Sequence, residues 1–230
     1  MTAVHQTKNE TRAFEADVSK LLHMMVHSVY SDRNVFLREM ISNAADACER
    51  LRYEAIASPT LLDGDSTFRI TITIHADKKT LAIEDNGIGM NRDELVQALG
   101  TIAHSGTRAF LEKVEASQNN AGAALIGQFG VGFYSAFMVA DKVDVISRRA
   151  GLEDAWQWSS DGKGTYSVAP IVLADAPNRG TRVVLHLMQD AVSYTERLTL
   201  ERVRFGSKAD ICDATSHVRF TPKSGHVRCS

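Results

Sequence analysis

Residues 82–90 read Ala82-Ile83-Glu84-Asp85-Asn86-Gly87-Ile88-Gly89-Met90. An apolar, alternating strand from Thr80 to Glu84 runs into an acidic residue and then into a turn with glycines at 87 and 89. Two glycines this close allow φ > 0 and let a flat ligand come within contact distance. A carboxylate at a strand end can accept a hydrogen bond from an exocyclic amine, so Asp85 is a candidate reader of a purine. Asp-Asn-Gly is also ordinary turn chemistry, and on this stretch alone a plain strand-to-helix turn remains an open alternative.

The surroundings assign the stretch to a sheet. Phe68 to His75 alternates (Phe68, Ile70, Ile72, Ile74) as a half-buried strand, with Thr80 to Glu84 as its partner across Asp77-Lys78-Lys79. Asn91 with Glu94 three residues on forms a capping pair that opens a short helix to Leu99. Upstream, Phe14 to Tyr30 has apolar residues at helical spacing. A second helix is predicted from an N-cap at Ser31 or Asp32 to about Ile56, with the stripe Phe36, Met40, Ala44, Ala47, Cys48 and Leu51. Downstream, Gly100 to Gly132 is rich in small residues (Gly100, Ser105, Gly106, Gly122, Gly127, Gly130, Gly132), interrupted by a helix from Thr107 to about Glu115. An excursion of this length in a compact domain is expected to be functional. An apolar helix, Gly132 to Val139, and strands near 142–149, 153–160, 164–169 and 180–188 follow. Helices segregated from a mostly antiparallel sheet define an α+β class, not alternating βαβ units.

Composition excludes several function classes. The 230 residues are 44% hydrophobic and 23% charged, which is sufficient for a sizeable core. A net charge of −2 gives no general attraction to nucleic acid or to an anionic membrane. No apolar run approaches the ~20 residues of a membrane span, and Met1 to Arg12 lacks a signal-peptide core. Cys48, Cys212 and Cys229 share no metal-ligand spacing, and reduced thiols in a cytoplasmic protein are expected. Residues 203–230 carry five Lys/Arg against two Asp/Glu and lack the apolar periodicity of the rest. They read as a separate basic tail, residues 1–202 being the domain. The tail is expected to be disordered or loosely attached, because it has too few apolar residues to offset its ordering entropy.

The common nucleotide and metal fingerprints are absent. No G-x-x-x-x-G-K-[ST], complete G-x-G-x-x-G, H-E-x-x-H or G-x-S-x-G occurs. Other groupings remain. Glu39 and Asn43 are four apart on the second helix and share a face, with Asp46 beside them. Asn43 suits the shell of a Mg²⁺ that keeps waters and phosphates as its other ligands. Glu39 suits a base for water attacking a γ-phosphate. A solvated helix face with polar i,i+4 pairs is the alternative. Gly127-Gln128-Phe129-Gly130-Val131-Gly132-Phe133 precedes an apolar helix, and successive N–H groups there can hold an anion; a loop that merely needs glycine is the alternative.

Asn34–Ala47, Asp85–Met90, Leu99–Thr107, Gly127–Ser135 and Arg179-Gly180-Thr181 occur in one order. Together they closely resemble the N-terminal ATPase domain of the 90-kDa heat-shock chaperone family, in its bacterial form, over about residues 10 to 202. The resemblance implies a two-layer α/β sandwich of the split ATPase type shared with gyrase, histidine kinases and mismatch-repair proteins. It implies that Asp85 binds the adenine amine, with Thr181 and the Gly89 backbone assisting through water and Met90 packing on the base. It implies Asn43 on Mg²⁺, Glu39 as general base and Asp46 at the nucleotide. Gly130, Val131, Gly132 and Phe133 would wrap the phosphates, and a lid of about residues 100–130, with Ser105 and Gly106, would close over ATP. It further implies a weak Mg²⁺-dependent ATPase and a cytoplasmic chaperone that handles ATP/ADP and client proteins. No role with nucleic acid or membrane is implied.

Two departures qualify these expectations. His104 stands where the family often has Lys, so a phosphate contact there would lose a permanent charge. The likeness stops near Glu201-Arg202-Val203. The family would continue into a middle domain, whose arginine assists hydrolysis, and a dimerisation domain. A homodimer is therefore expected of the full-length family but not of this shorter chain. A truncation or an altered reading frame is the expected origin of the tail, with a basic peptide-binding tail as the alternative. A binding-only or non-functional fragment is one rival function. A kinase or topoisomerase subunit on the same fold is the other, disfavoured by Phe-Leu-Arg-Glu at 36–39 and by Gly127–Phe133.

Overall fold

The computed structural model describes residues 10–13, 33–100, 132–195, 218–220 and 227–229. The described strands form one antiparallel sheet. They are β1 (Glu10–Ala13), β2 (Ile70–His75), β3 (Thr80–Asp85), β4 (Ala140–Arg148), β5 (Ala155–Ser160), β6 (Thr165–Ile171), β7 (Gly180–Leu187), β8 (Val218–Phe220) and β9 (Val227–Cys229). Their spatial order is β1-β6-β5-β4-β7-β3-β2-β9-β8. Two α-helices, α1 (Val35–Ala57) and α2 (Arg92–Gly100), and several 3₁₀ turns complete the described elements.

The alternation in the sequence sets the two faces. Ile70 and Ile72 of β2, Leu81 and Ile83 of β3, Val143 and Val145 of β4 and Leu185 of β7 are buried in one core. Along α1 the buried set is Val35, Phe36, Leu37, Met40, Ile41, Ala44, Ala45, Cys48, Leu51 and Ala55, a helical stripe broader than periodicity alone suggests. This stripe packs on β2, on β3 and on the 3₁₀ turn Gly132–Met138, while α2 packs against β5 and β6. The outward sheet positions are polar. Asp144 accepts from Ser159 Oγ at 2.5 Å and from Gln157 Nε2 at 3.2 Å, and pairs with His186 Nε2 at 2.7 Å. Trp158 is fully buried between Phe133 and Tyr166, and Trp156 lies under the Arg92 guanidinium, so both tryptophans are used in packing.

Several boundaries shift for physical reasons. The N-cap of α1 is Asn34 and not Ser31 or Asp32, which lie outside the described residues. Asn34 makes no side-chain cap; its Oδ1 instead accepts from the Tyr194 hydroxyl at 3.0 Å. The predicted capping pair is present: Asn91 N–H donates to Glu94 Oε2 at 3.0 Å and Glu94 N–H to Asn91 Oδ1 at 2.9 Å. Residues 132–138 form a seven-residue 3₁₀ helix, buried throughout, instead of an α-helix. Wedged between α1 and β4, it has no solvated face, and so short a turn has little macrodipole. β6 includes Pro170, opposite Trp156, beyond the four residues that β1 covers, so its lost N–H removes no bond on that edge. Of the segment after residue 202, β9 pairs with β2 at Thr71 and Ile72. The helix over 14–30 and the one from 107 fall outside the described residues.

Candidate functional site

Asp85 is the last residue of β3 and sits opposite Thr181 of β7 in the register. It is 5% exposed, and its Oδ1 accepts the Gly87 N–H at 2.9 Å. Burial pushes its pKa up to about 7, against the pull of N–H donors from Gly87 and Thr181. The carboxyl is therefore divided near neutrality between its two forms, and a ligand that donates to it draws it toward the carboxylate.

The turn beyond Asp85 is pressed from two sides by the protein's own backbone. A Cβ on Gly87 would come 2.5 Å from the carbonyl carbon of Ala47 on α1. Ile88 N–H donates to that same carbonyl at 3.0 Å, and the Ile88 carbonyl accepts from Ala150 N–H at 2.8 Å. Gly89 has φ +63°, and a Cβ there would overlap the Arg148 carbonyl oxygen. A Cβ at either position would collide with α1 or β4, a constraint from the protein's own backbone that stands beside the expected room for a ligand. Arg179 locks the same region: it donates to the carbonyls of Asn86 (2.9 Å), Leu62 (2.5 Å) and Asp65 (2.6 Å). It acts on the loops, not in the cavity.

A cavity of about 450 Å³ opens over this turn. That volume is of the size that holds a nucleotide-sized ligand. Glu39, Asn43 and Asp46 of α1, Asp85, Gly89 and Met90 of the turn, Thr181 of β7, and Gly132 and Phe133 all line it. Every candidate residue within the described region is thus on one cavity, whereas Ser105, Gly106, Gly130 and Val131 lie outside the described residues. Glu39 is half-buried; burial raises its pKa against the opposing Arg38 charge, and its carboxylate lies where a Cβ on Gly132 would sit. Burial likewise raises Asp46, helped by the Glu49 charge.

The structure adds residues that the sequence did not single out. Ile83, Val145, Val183 and Leu99 supply apolar wall, and their signal was the inward phase of each strand or helix. Arg50, one turn beyond Asp46, also lines the cavity, its guanidinium held by Glu54 at 2.9 Å. Ser147, fully buried on β4, accepts the Met90 N–H at 2.8 Å and lies 2.8 Å from Thr181 Oγ1. Among the described residues no three His, Cys, Asp or Glu side chains cluster to hold a metal. A cation here would depend on a ligand's own oxygens, with Asn43 and a carboxylate of α1 as the protein's share.

A family model described as histidine kinase-, DNA gyrase B- and HSP90-like ATPase matches residues 30–192. The chain is 68% identical over 198 residues to the chaperone protein HtpG of Rhizobium meliloti, covering 86% of this chain and 32% of that protein. It is 69% identical over 194 residues to the HtpG of Nitrobacter winogradskyi, covering 84% and 30%. It is 56% identical over 196 residues to that of Rhodospirillum rubrum, covering 84% and 31%. The chain therefore spans about a third of the length of the curated relatives it matches. No helix among the described residues is long and apolar enough to cross a membrane.

Proposed function

Because the chain belongs to the histidine kinase-, DNA gyrase B- and HSP90-like ATPase family, we propose that its cavity binds ATP and hydrolyses it slowly, as the nucleotide module of a cytoplasmic chaperone. The observation that carries this reading is a buried carboxyl, Asp85, in a cavity whose α1 wall presents Glu39, Asn43 and Asp46. Asp85 accepts the adenine amine, with Met90 against the base and Thr181 and the Gly89 backbone beside it. Asn43 would hold Mg²⁺, which would offset phosphate charge. Glu39, made more basic by burial, takes a proton from the attacking water. The backbone of Gly132 and Phe133 faces the phosphates. Client proteins and a homodimer belong to the full-length relatives' role, and neither nucleic acid nor membrane has a part in it.

Turnover is slow because the cavity provides little positive charge for the γ-phosphate. Arg50 is the one arginine lining it among the described residues, and Glu54 already engages that guanidinium. A free arginine at this point is commonly worth about 10³–10⁵ in rate. The test combines binding with chemistry. Mg²⁺ and ATP at a hundredfold excess over Kd should stabilise the native chain by about 2.7 kcal/mol in a thermal-shift assay. Single-turnover hydrolysis should run well below about 10 s⁻¹ and vanish in Glu39→Ala, which keeps its thermal shift. No shift with ATP would sink the binding reading, and wild-type hydrolysis by Glu39→Ala would sink the base. Binding without any hydrolysis would favour the second reading, a binding-only fragment.

A further inference from the structure

We propose that the outer edge of β2 is a strand-docking site whose partner is the β2 of a second copy of this chain, and that β9 keeps the site closed in the monomer. In the sheet order, β9 and β8 are the only described strands beyond β2, so without them β2 is an edge. Its stretch Ile70-Thr71-Ile72-Thr73-Ile74 is β-branched at every position, with no charge, proline or glycine to blunt an exposed edge. Asn86 N–H donates to the Arg69 carbonyl, which turns the main-chain groups of Arg69 toward the β3 side. Such groups alternate along an antiparallel pair, so those of Thr71, Thr73 and His75 also meet β3. Those of Ile70, Ile72 and Ile74 point to the outer edge. β9 pairs there through Arg228 opposite Thr71 and Val227 opposite Ile72, and the Ile74 groups lie past that described pairing.

A second β2 suits this edge better than β9 does. A two-fold axis perpendicular to the sheet brings it in antiparallel and keeps every residue on its own face. With Thr73 on the axis, Ile72 of each copy lies opposite Ile74 of the other, and both outward residues exchange main-chain bonds. The isoleucines then continue the core face, where Ile74 is only partly buried in the single chain. Arg69 falls opposite Asp77, so opposite charges meet at both ends. Moving the axis to Ile72 would set Arg69 against His75 and lose that attraction. The sheet already extends past β2 by β9 and β8, so strands have room there. Residues 70–75 do not line the cavity, and the proposal is independent of the nucleotide reading.

Sedimentation equilibrium on the full chain tests this. Val227→Pro removes the N–H that β9 presents to Ile72, and so opens the edge. This variant should self-associate at least about tenfold more tightly than the wild type. Adding Thr73→Lys, which places two like charges opposite each other on the axis, should restore the monomer. Thr73→Cys in the Val227→Pro chain, with Cys212→Ser and Cys229→Ser to remove other thiols, should form a disulfide-linked pair under diamide. A non-hydrogen-bonded pair on the axis holds its Cα atoms about 4.5 Å apart, within reach of a disulfide. Crosslinking also captures a small open population, should the proline release β9 only in part. No crosslinked pair would overturn the proposal, and so would a Val227→Pro dimer indifferent to Thr73→Lys, which would place the contact on another surface.

Discussion

Asp85 combines a burial cost with the recognition role we propose for it, and the two can be separated by pH. Its pKa of about 7 lies above the ordinary 3.8 because burial disfavours the charged form. Between those values the folded chain binds more protons than the unfolded one, so this group's contribution to stability falls as pH rises from about 4 to 7. A shift of this size corresponds to ~4 kcal/mol, complete above the folded pKa. Asp85→Asn should remove that slope, so its melting temperature should drop less than wild type's between pH 5 and pH 8. The same variant should lose adenine-nucleotide affinity, since an amide can present N–H where the base also presents N–H. Wild-type affinity itself should strengthen as pH rises through about 7, because the ligand's donor needs the carboxylate. A parallel pH–stability profile for the two proteins would remove Asp85 as the source. The candidacy of Asp85 was legible from its place at a strand end. The contacts of Ser147 were not, since a lone serine inside a strand looks like any other until β7 brings Gly180 and Thr181 beside it.

At the scale of elements, the turn 86–90 is the joint where α1, β3 and β4 meet. Gly87→Ala would drive a methyl to 2.5 Å from a carbonyl carbon of α1, and the turn cannot retreat without breaking the Ile88–Ala47 hydrogen bond. A loss of about 2–3 kcal/mol is expected, at the upper end for overpacking. Gly64→Ala is the control: at φ +75° with nothing within 4 Å of the new methyl, it should cost only about 1–2 kcal/mol of backbone strain. Urea denaturation midpoints compare the two, and a loss at 87 no larger than the control's would mean that close approach does not select glycine there. Elements whose signals are local were readable in advance. The Asn91–Glu94 capping pair and the alternation of β2 each depend on residues a few positions apart. The 3₁₀ geometry of 132–138 was not readable. Its apolar run fits an α-helix equally well, and packing between α1 and β4 decides the tighter turn.

For the whole molecule, the question with a measurable answer is where the proposed nucleotide module ends. We propose residues 1–202 as the domain and 203–230 as a basic appendage. Every described candidate site residue lies before position 182, and among the described residues β9 pairs with β2 at Thr71 and Ile72, strand positions that do not line the cavity. A chain ending at Arg202 should therefore keep its adenosine diphosphate affinity within about twofold, a few tenths of a kcal/mol. A tenfold loss, read by calorimetry, would show that the appendage supports the site and would move the boundary.

The sequence by itself determined the class of this protein: local periodicity, one capping pair and a set of short motifs named the elements and nine of the residues that line one cavity. Those signals survive in one dimension because each is fixed by neighbours along the chain or by ligand chemistry. Only the tertiary structure decided why the turn after Asp85 needs its glycines, that the Asp85 carboxyl is pushed toward protonation, and which buried hydroxyl lies against Thr181. Each of these depends on backbone brought in from distant sequence. Desolvation and hydrogen-bond direction arise only when strands and helices far apart in the chain are packed together.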